Sequence, residues 1–286
     1  AEQLQAYARS EALQQELAYW QAQLAQAPLD LPCVDPHASL DGQHAAIART
    51  ELSKAHTAQL LLEAPAAYRT QVNDLLLTAL ARVITRWTGE ASALLQMEGH
   101  GREDLFDSID LVRTVGWFTS LFPVCLTPAS SLDGSIKQVK EQLRSLPDKG
   151  IGYGALRYLG DASAQRSLAA LPVPRITFNY LGQFDGSFAQ EDALFAPANE
   201  YAGREQGADA PLGNWLSLNG KVYDGVLSMT WSFSQAMFDP AQIQALADDY
   251  RQELETLIAH CLDPQHSGVT ASDFPLARLN QVQLDS

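Results

Sequence analysis

Positive charge is scarce in this 286-residue chain: 19 Lys and Arg stand against 34 Asp and Glu, a formal net charge of −15. Nucleic-acid binding draws on clustered cations that neutralise phosphates, so no nucleic-acid partner is expected. Long apolar runs are missing as well. The most apolar stretch, Leu75 to Trp87, is interrupted by Arg82 and Arg86, whereas a membrane helix needs about 18 uninterrupted apolar residues. A soluble protein with no membrane segment is therefore expected. Cysteine is sparse: Cys33, Cys125 and Cys261 form no CxxC pair and leave an odd one over, which argues against a disulfide framework and for a reducing, cytoplasmic setting. The six histidines, at 37, 44, 56, 100, 260 and 266, are scattered, and none lies at a zinc-like interval from Cys or Glu, so no metal is expected. The opening AEQLQAYARS has neither an initiator Met nor a basic-then-apolar leader, and reads as the start of a piece excised from something longer.

What the chain does have is core-forming material: 46% hydrophobic residues and 19% charged ones, the balance of a globular protein. Leu4, Tyr7, Leu13, Leu17, Trp20 and Leu24 fall near helical spacing, which predicts one amphipathic helix over 2–26. Alternation over 45–52 predicts a half-buried strand, followed by a helix capped by Ser53 and a second helix over 71–87, stopped at Gly89. SALLQM at 92–97 is a buried strand candidate, with Glu98 at its end. LFPVCL at 121–126 is another, which Pro123 confines to an edge or a bulge. A helix is predicted over 132–146, after which Pro147 and GIGYG break the chain into a flexible loop. Strands are predicted over 175–180, 215–222 and 226–233, the last two joined by Asp224-Gly225, a strong hairpin signal. A long helix runs from Pro240 to about Cys261, an irregular tail follows Asp263, and 185–213 reads as a long surface loop. Helices mixed with isolated strands and a hairpin predict an α/β domain with a mixed sheet.

Four clusters carry the chemical interest. Glu98-Gly99-His100-Gly101-Arg102-Glu103 sets a carboxylate where a buried strand opens into a loop, the usual location of sites in α/β folds. A half-buried Glu there has its pKa pushed towards neutrality, as a general acid/base needs, but residue type alone leaves open an ordinary strand exit with Glu98 paired to Arg102 or Arg113. Arg113 to Ser120 places Trp117 and Phe118 behind a glycine, either as a hydrophobic plug or as part of a site. PDKGIGYG at 147–154 lacks the Gly-Lys-Ser/Thr ending of a phosphate loop. Asn179 and Tyr180 present an amide and a phenol at a strand end, as core residues or as ligand donors.

In order and spacing, EGHGRE (98–103), RTVGWFTSLFPV (113–124), PDKGIGYGALRYL (147–159) and FNYLGQFD (178–185) closely resemble the signature motifs of nonribosomal peptide synthetase epimerization domains. VNDLLLTAL (72–80) and SDFPLARL (272–279) extend the resemblance over nearly the whole chain. It implies the condensation-domain superfamily: two chloramphenicol-acetyltransferase-like lobes, each a mixed β-sheet packed with α-helices, in a V around a tunnel. It further implies a partner carrier domain whose 4'-phosphopantetheine arm brings an aminoacyl or peptidyl thioester, no directly bound cofactor, and inversion of Cα by removal and return of one proton. By the same resemblance Glu98 is one acid/base group, and Asn179 and Tyr180 lie beside the thioester to stabilise the enolate. Arg102 orients Glu98 or holds its charge, Trp117, Phe118 and Thr119 shape the tunnel, and His100 is structural. The family's second group is a His in an HHxxxDG motif of the N-terminal lobe, and this sequence has no adjacent His pair. The chain accordingly reads as a C-terminal lobe: a leading helix over 1–30, the lobe over 31–270 and a linker tail over 271–286, inactive without its missing N-terminal lobe. The implied product class is an antibiotic or siderophore peptide. A peptide-bond-forming condensation domain, a dual epimerizing and condensing one, and a non-catalytic carrier-docking module are the competing expectations.

Overall fold

The structure, a computed structural model, describes residues 2–25, 27–28, 30–103, 105–106, 109–111, 113–184, 207–277 and 280–284. Its centre is a six-stranded mixed sheet, in the order β1-β6-β5-β4-β2-β3. The strands are β1 (Ala45–Glu51), β2 (Ala93–Gly99), β3 (Ser120–Leu126), β4 (Ile176–Gln183), β5 (Leu216–Tyr223) and β6 (Val226–Ser234). β4 runs parallel to both β2 and β5, and the other pairs are antiparallel. Pro123 lies in β3, an edge strand, where a missing N–H is tolerated. Asp224 and Gly225 both take positive φ, 49° and 70°, the backbone that a two-residue hairpin turn requires.

Period-2 alternation gives the sheet two unlike faces. Leu95, Met97, Phe178, Leu218, Met229 and Trp231 share one face through the strand register and are all buried. That face is covered by α5 (Val72–Thr88) and by the long helix α9 (Pro240–Leu262), whose Tyr250 ring meets Trp231 edge-on at 5.7 Å. The opposite face carries Gln96, Glu98, Thr177, Asn179, Ser217 and Asn219.

Around the sheet pack α1 (Glu2–Ala8), α2 (Glu11–Leu24), α3 (Lys54–Leu62), α4 (Ala64–Tyr68), α6 (Leu132–Arg144), α7 (Ile151–Leu159) and α8 (Ala162–Ala169). The single helix expected over 2–26 is two, because the Ser10 hydroxyl accepts from the Leu13 N–H at 3.2 Å and starts a new helix there. The expected break at GIGYG is also corrected. Only Pro147–Gly150 departs from regular helix, with Asp148, Lys149 and Gly150 at positive φ, while Ile151–Leu159 is helical. The helix tolerates Gly152 because α2 lies against it: a Cβ there would sit 2.2 Å from Glu16 Oε2 and 2.8 Å from Leu13. Close helix approach, not flexibility, accounts for that glycine. Two further helices, α4 and α8, lie outside the expected elements, the latter capped by the Asp161 carboxylate.

Of the surface loop expected over 185–213, residues 185–206 lie outside the described residues, and 207–213 fold back so that Asp41 bridges Pro211. The tail, expected to be irregular, is anchored and includes a 3-10 turn at Ala271–Asp273 and α10 (Gln281–Leu284). Asp273 is held by Lys140, which is 1% exposed and gives its third N–H to the Tyr68 carbonyl.

Candidate functional site

β2 and β4 end side by side, and their carboxyl ends open into a cleft of about 770 Å³. Glu98 is the penultimate residue of β2 and lines the cleft with His100, Thr119, Lys149, Asn179 and Tyr180. Parallel neighbours whose ends open towards a crevice are where α/β sheets place ligands. The starts of α5 and the end of α6 close the far wall through Asn73 and Arg144, and Arg144 is held by a two-pronged contact to Asp74 at 3.2 and 2.7 Å.

Glu98 is half-buried, and burial pushes its carboxyl above the usual Glu range. Asn179, beside it on β4, donates its side-chain amide to Glu98 Oε2 at 2.9 Å. Tyr180, one residue on, belongs to the other face of the strand and packs partly against the core, and burial raises its phenol too. It is therefore a protonated O–H donor at neutral pH.

The expectation that Arg102 orients Glu98 or holds its charge is not met. The Arg102 guanidinium donates to the carbonyl oxygens of Leu111, Thr114 and Gly116 and lies over the Phe118 ring, 4.4 Å from its centroid. Arginine has five donors in a planar fork, which suits it to gather carbonyls of a folded loop. Gly101 precedes it with φ +65°, and a Cβ there would lie 1.6 Å from the Phe118 carbonyl oxygen, so only glycine fits this crossing. Arg113 is exposed in the same loop.

His100 takes the backbone N–H of Arg102 on Nδ1 at 3.0 Å, and its Nε2 lies 3.1 Å from Glu103. This arrangement fits the tautomer with the proton on Nε2. Glu103 reaches on to Lys149 at 2.8 Å. The pairing of Glu103 with His100 had a sequence signal in their three-residue spacing; the contact with Lys149, 46 residues away, had none.

The aromatic cluster divides. Thr119 lines the Glu98 cleft, whereas Trp117 and Phe118 line an adjoining apolar pocket of about 350 Å³ with Leu4 and Phe106. Trp117 is 91% exposed. Among the described residues no three His, Cys, Asp or Glu side chains converge as metal ligands would, and no helix is long and apolar enough to cross a membrane. What the cleft offers is a carboxylate with a raised pKa, an amide that fixes it and a phenol donor: equipment for moving a proton.

The chain has counterparts among known proteins in sequence and in fold. Linear gramicidin synthase subunits B and C of Brevibacillus parabrevis are 42% identical over 288 residues and 43% over 290, each match taking in 100% of this chain. The chain spans only 6% and 4% of those proteins. The crystal structure of the epimerization domain from the third module of tyrocidine synthetase B is similar with a TM-score of 0.83 and 37% identity, over 92% of this chain and 59% of that one. The mixed sheet with its helical layers is the condensation-domain fold. The model of the condensation domain matches residues 1–279, and with that extent of agreement the chain belongs to the condensation-domain family.

Proposed function

We propose that this chain is part of an epimerization domain of nonribosomal peptide synthesis, inverting the Cα centre of an amino-acid residue held as a thioester on the 4'-phosphopantetheine arm of a carrier domain. One observation carries the reading. A half-buried Glu98, its carboxyl raised by burial and its orientation set by Asn179, stands at the mouth of a cleft where two parallel strands end. The likeness to the tyrocidine epimerization domain supports it.

The chemistry assigned to these residues is a proton shuttle. The thioester acidifies Cα; one base takes the Cα proton, the C–H electron pair passes to the thioester oxygen as an enolate, and a proton returns from the opposite face. A planar enolate needs acid/base groups on both faces, so Glu98 serves one face and the other group comes from outside the described residues. The family's HHxxxDG lobe is the source we assign to it. Tyr180 donates to the enolate oxygen, and Asn179 holds the Glu98 carboxylate in place. Arg102 acts at one remove: by gathering the carbonyls of residues 111, 114 and 116 it fixes the loop that carries Trp117, Phe118 and Thr119 along the substrate path. With one of two cooperating groups absent, the chain alone is inactive or nearly so.

The test is deuterium wash-in at Cα of a carrier-bound L-aminoacyl or L-peptidyl thioester, for the chain alone, the chain with an HHxxxDG lobe supplied in trans, and the reassembled pair with Glu98→Gln. Exchange only on reassembly, lost with Glu98→Gln, is the expected result. Exchange by the chain alone overturns the two-part site. Peptide-bond formation without exchange, when an acceptor aminoacyl carrier is supplied, assigns the domain to condensation; neither reaction in an assembled pair leaves carrier docking.

A further inference from the structure

The open face of the sheet carries a row of uncharged hydrogen-bonding side chains that starts at Glu98. Asn179 is bonded to Glu98 and lies opposite Asn219 on β5, which lies opposite Thr230 on β6. The next residue along the register is Arg49 on the edge strand β1. Between the carboxylate and that arginine the row is all amide and hydroxyl, within a chain of net charge −15. Asn219 is exposed and Thr230 half-buried, and neither side chain hydrogen-bonds to another described residue. The row beside it is closed only at its start: Thr177 is 8% exposed, and its hydroxyl accepts from Gln96 at 3.2 Å and Asn214 at 3.0 Å, while Ser217 and Ser232 further along carry no side-chain hydrogen bond to another described residue. In the row leading from Glu98, Asn179 is engaged by the carboxylate, and the amide of Asn219 and the hydroxyl of Thr230 beyond it have no partner among the described residues.

Strands stand about 4.8 Å apart, so from Glu98 to Thr230 is roughly 14 Å, the reach of about four extended residues. Asn offers a carbonyl acceptor and an N–H donor, and Thr both roles in one hydroxyl. These match the alternating N–H and C=O of a peptide backbone without regard to its side chains, and neither Asn219 nor Thr230 carries a charge that would favour an ionic group over a backbone amide. We infer that Asn219 and Thr230 form a subsite for the backbone of residues upstream of the one bound at Glu98, and hence that the substrate is a peptidyl rather than a single aminoacyl thioester. This rests on the epimerization reading for what happens at Glu98, but the binding it describes is measured independently.

The experiment uses the complete two-lobe domain and two unreactive pantetheine amides, one bearing a single amino acid and one a tripeptide ending in the same residue, with calorimetric binding as the readout. The tripeptidyl compound binds about tenfold more tightly. Asn219→Leu and Thr230→Val each remove about 3- to 10-fold of that advantage and leave the aminoacyl compound unchanged. Asn219→Ala serves as the second variant at that position, and a melting curve for each checks folding. Equal affinity for the two compounds in the unaltered domain, an advantage that survives both substitutions, or an equal loss for both compounds overturns the subsite. Loss of lobe association on Asn219→Leu also overturns it, since the row then faces the other lobe. If the tripeptide advantage depends on Asn219 but no Cα exchange occurs with either carrier-bound substrate, the subsite stands and the epimerization reading falls.

Discussion

Asn179 and Glu98 belong to different strands, 81 residues apart in sequence, and meet at 2.9 Å through a single N–H to carboxylate bond. The bond favours the ionised carboxylate, whereas burial favours the protonated one. Glu98 is thus set between two opposed influences, and burial dominates.

Glu98→Gln is expected to abolish Cα exchange in the assembled domain. Its effect on stability has a definite sign. A Glu whose folded pKa is raised adds stability below its ordinary pKa, and that stability is lost as pH rises through the raised value. At pH 7 to 8 the ionised carboxylate is a burden on the fold, so the variant melts at or above the parent; at pH 4 the difference shrinks or reverses. Melting curves at the two pH values check this.

Asn179→Ala withdraws the one side-chain donor to Glu98 among the described residues. The pKa of Glu98 rises further, and the acidic limb of the pH–rate profile moves to higher pH along with a fall in kcat. A purely structural Asn179 would lower the rate without moving the limb.

Arg102→Ala frees the loop that its guanidinium ties down at three carbonyls. Trypsin cleavage after Arg113, exposed within that loop, is expected to quicken by at least about fivefold, followed by mass spectrometry of the fragments. Arg102→Lys recovers little, because an ammonium cannot span three carbonyls.

Lys140→Met strands Asp273, whose carboxyl burial pushes up and the Lys140 ammonium and Thr270 outweigh, holding it below its usual range. Breaking such a pair from one side costs about 3–5 kcal/mol, measured by denaturant unfolding. Lys140→Met with Asp273→Leu recovers much of it. The stabilisation from Asp273 is present above its unfolded pKa and fades as pH falls through the depressed folded value.

Much of this was legible in the residues. Apolar runs bounded by turns gave the strands, Asp224-Gly225 gave the hairpin, and a carboxylate closing an apolar run singled out Glu98. The parts that were not legible share a cause: they depend on what lies opposite. The partners of Arg102 are backbone carbonyls, which have no residue identity to read. GIGYG reads as a break because glycine is judged locally, and the reason for Gly152, α2 pressed against α7, is more than a hundred residues distant in sequence. Asn219 passes for an ordinary strand residue until the order β2-β4-β5 brings it beside Asn179.

The fit of α2 on α7 bears on chimeras built from related synthases. Trp20 is wholly buried and meets the Tyr153 ring at 5.2 Å, while Gly152 leaves room only for Glu16 and Leu13 as they stand. A crossover in the loop between α2 and β1 would marry one parent's knob to another parent's notch, whereas a crossover upstream of Glu2 lets the two helices be inherited together.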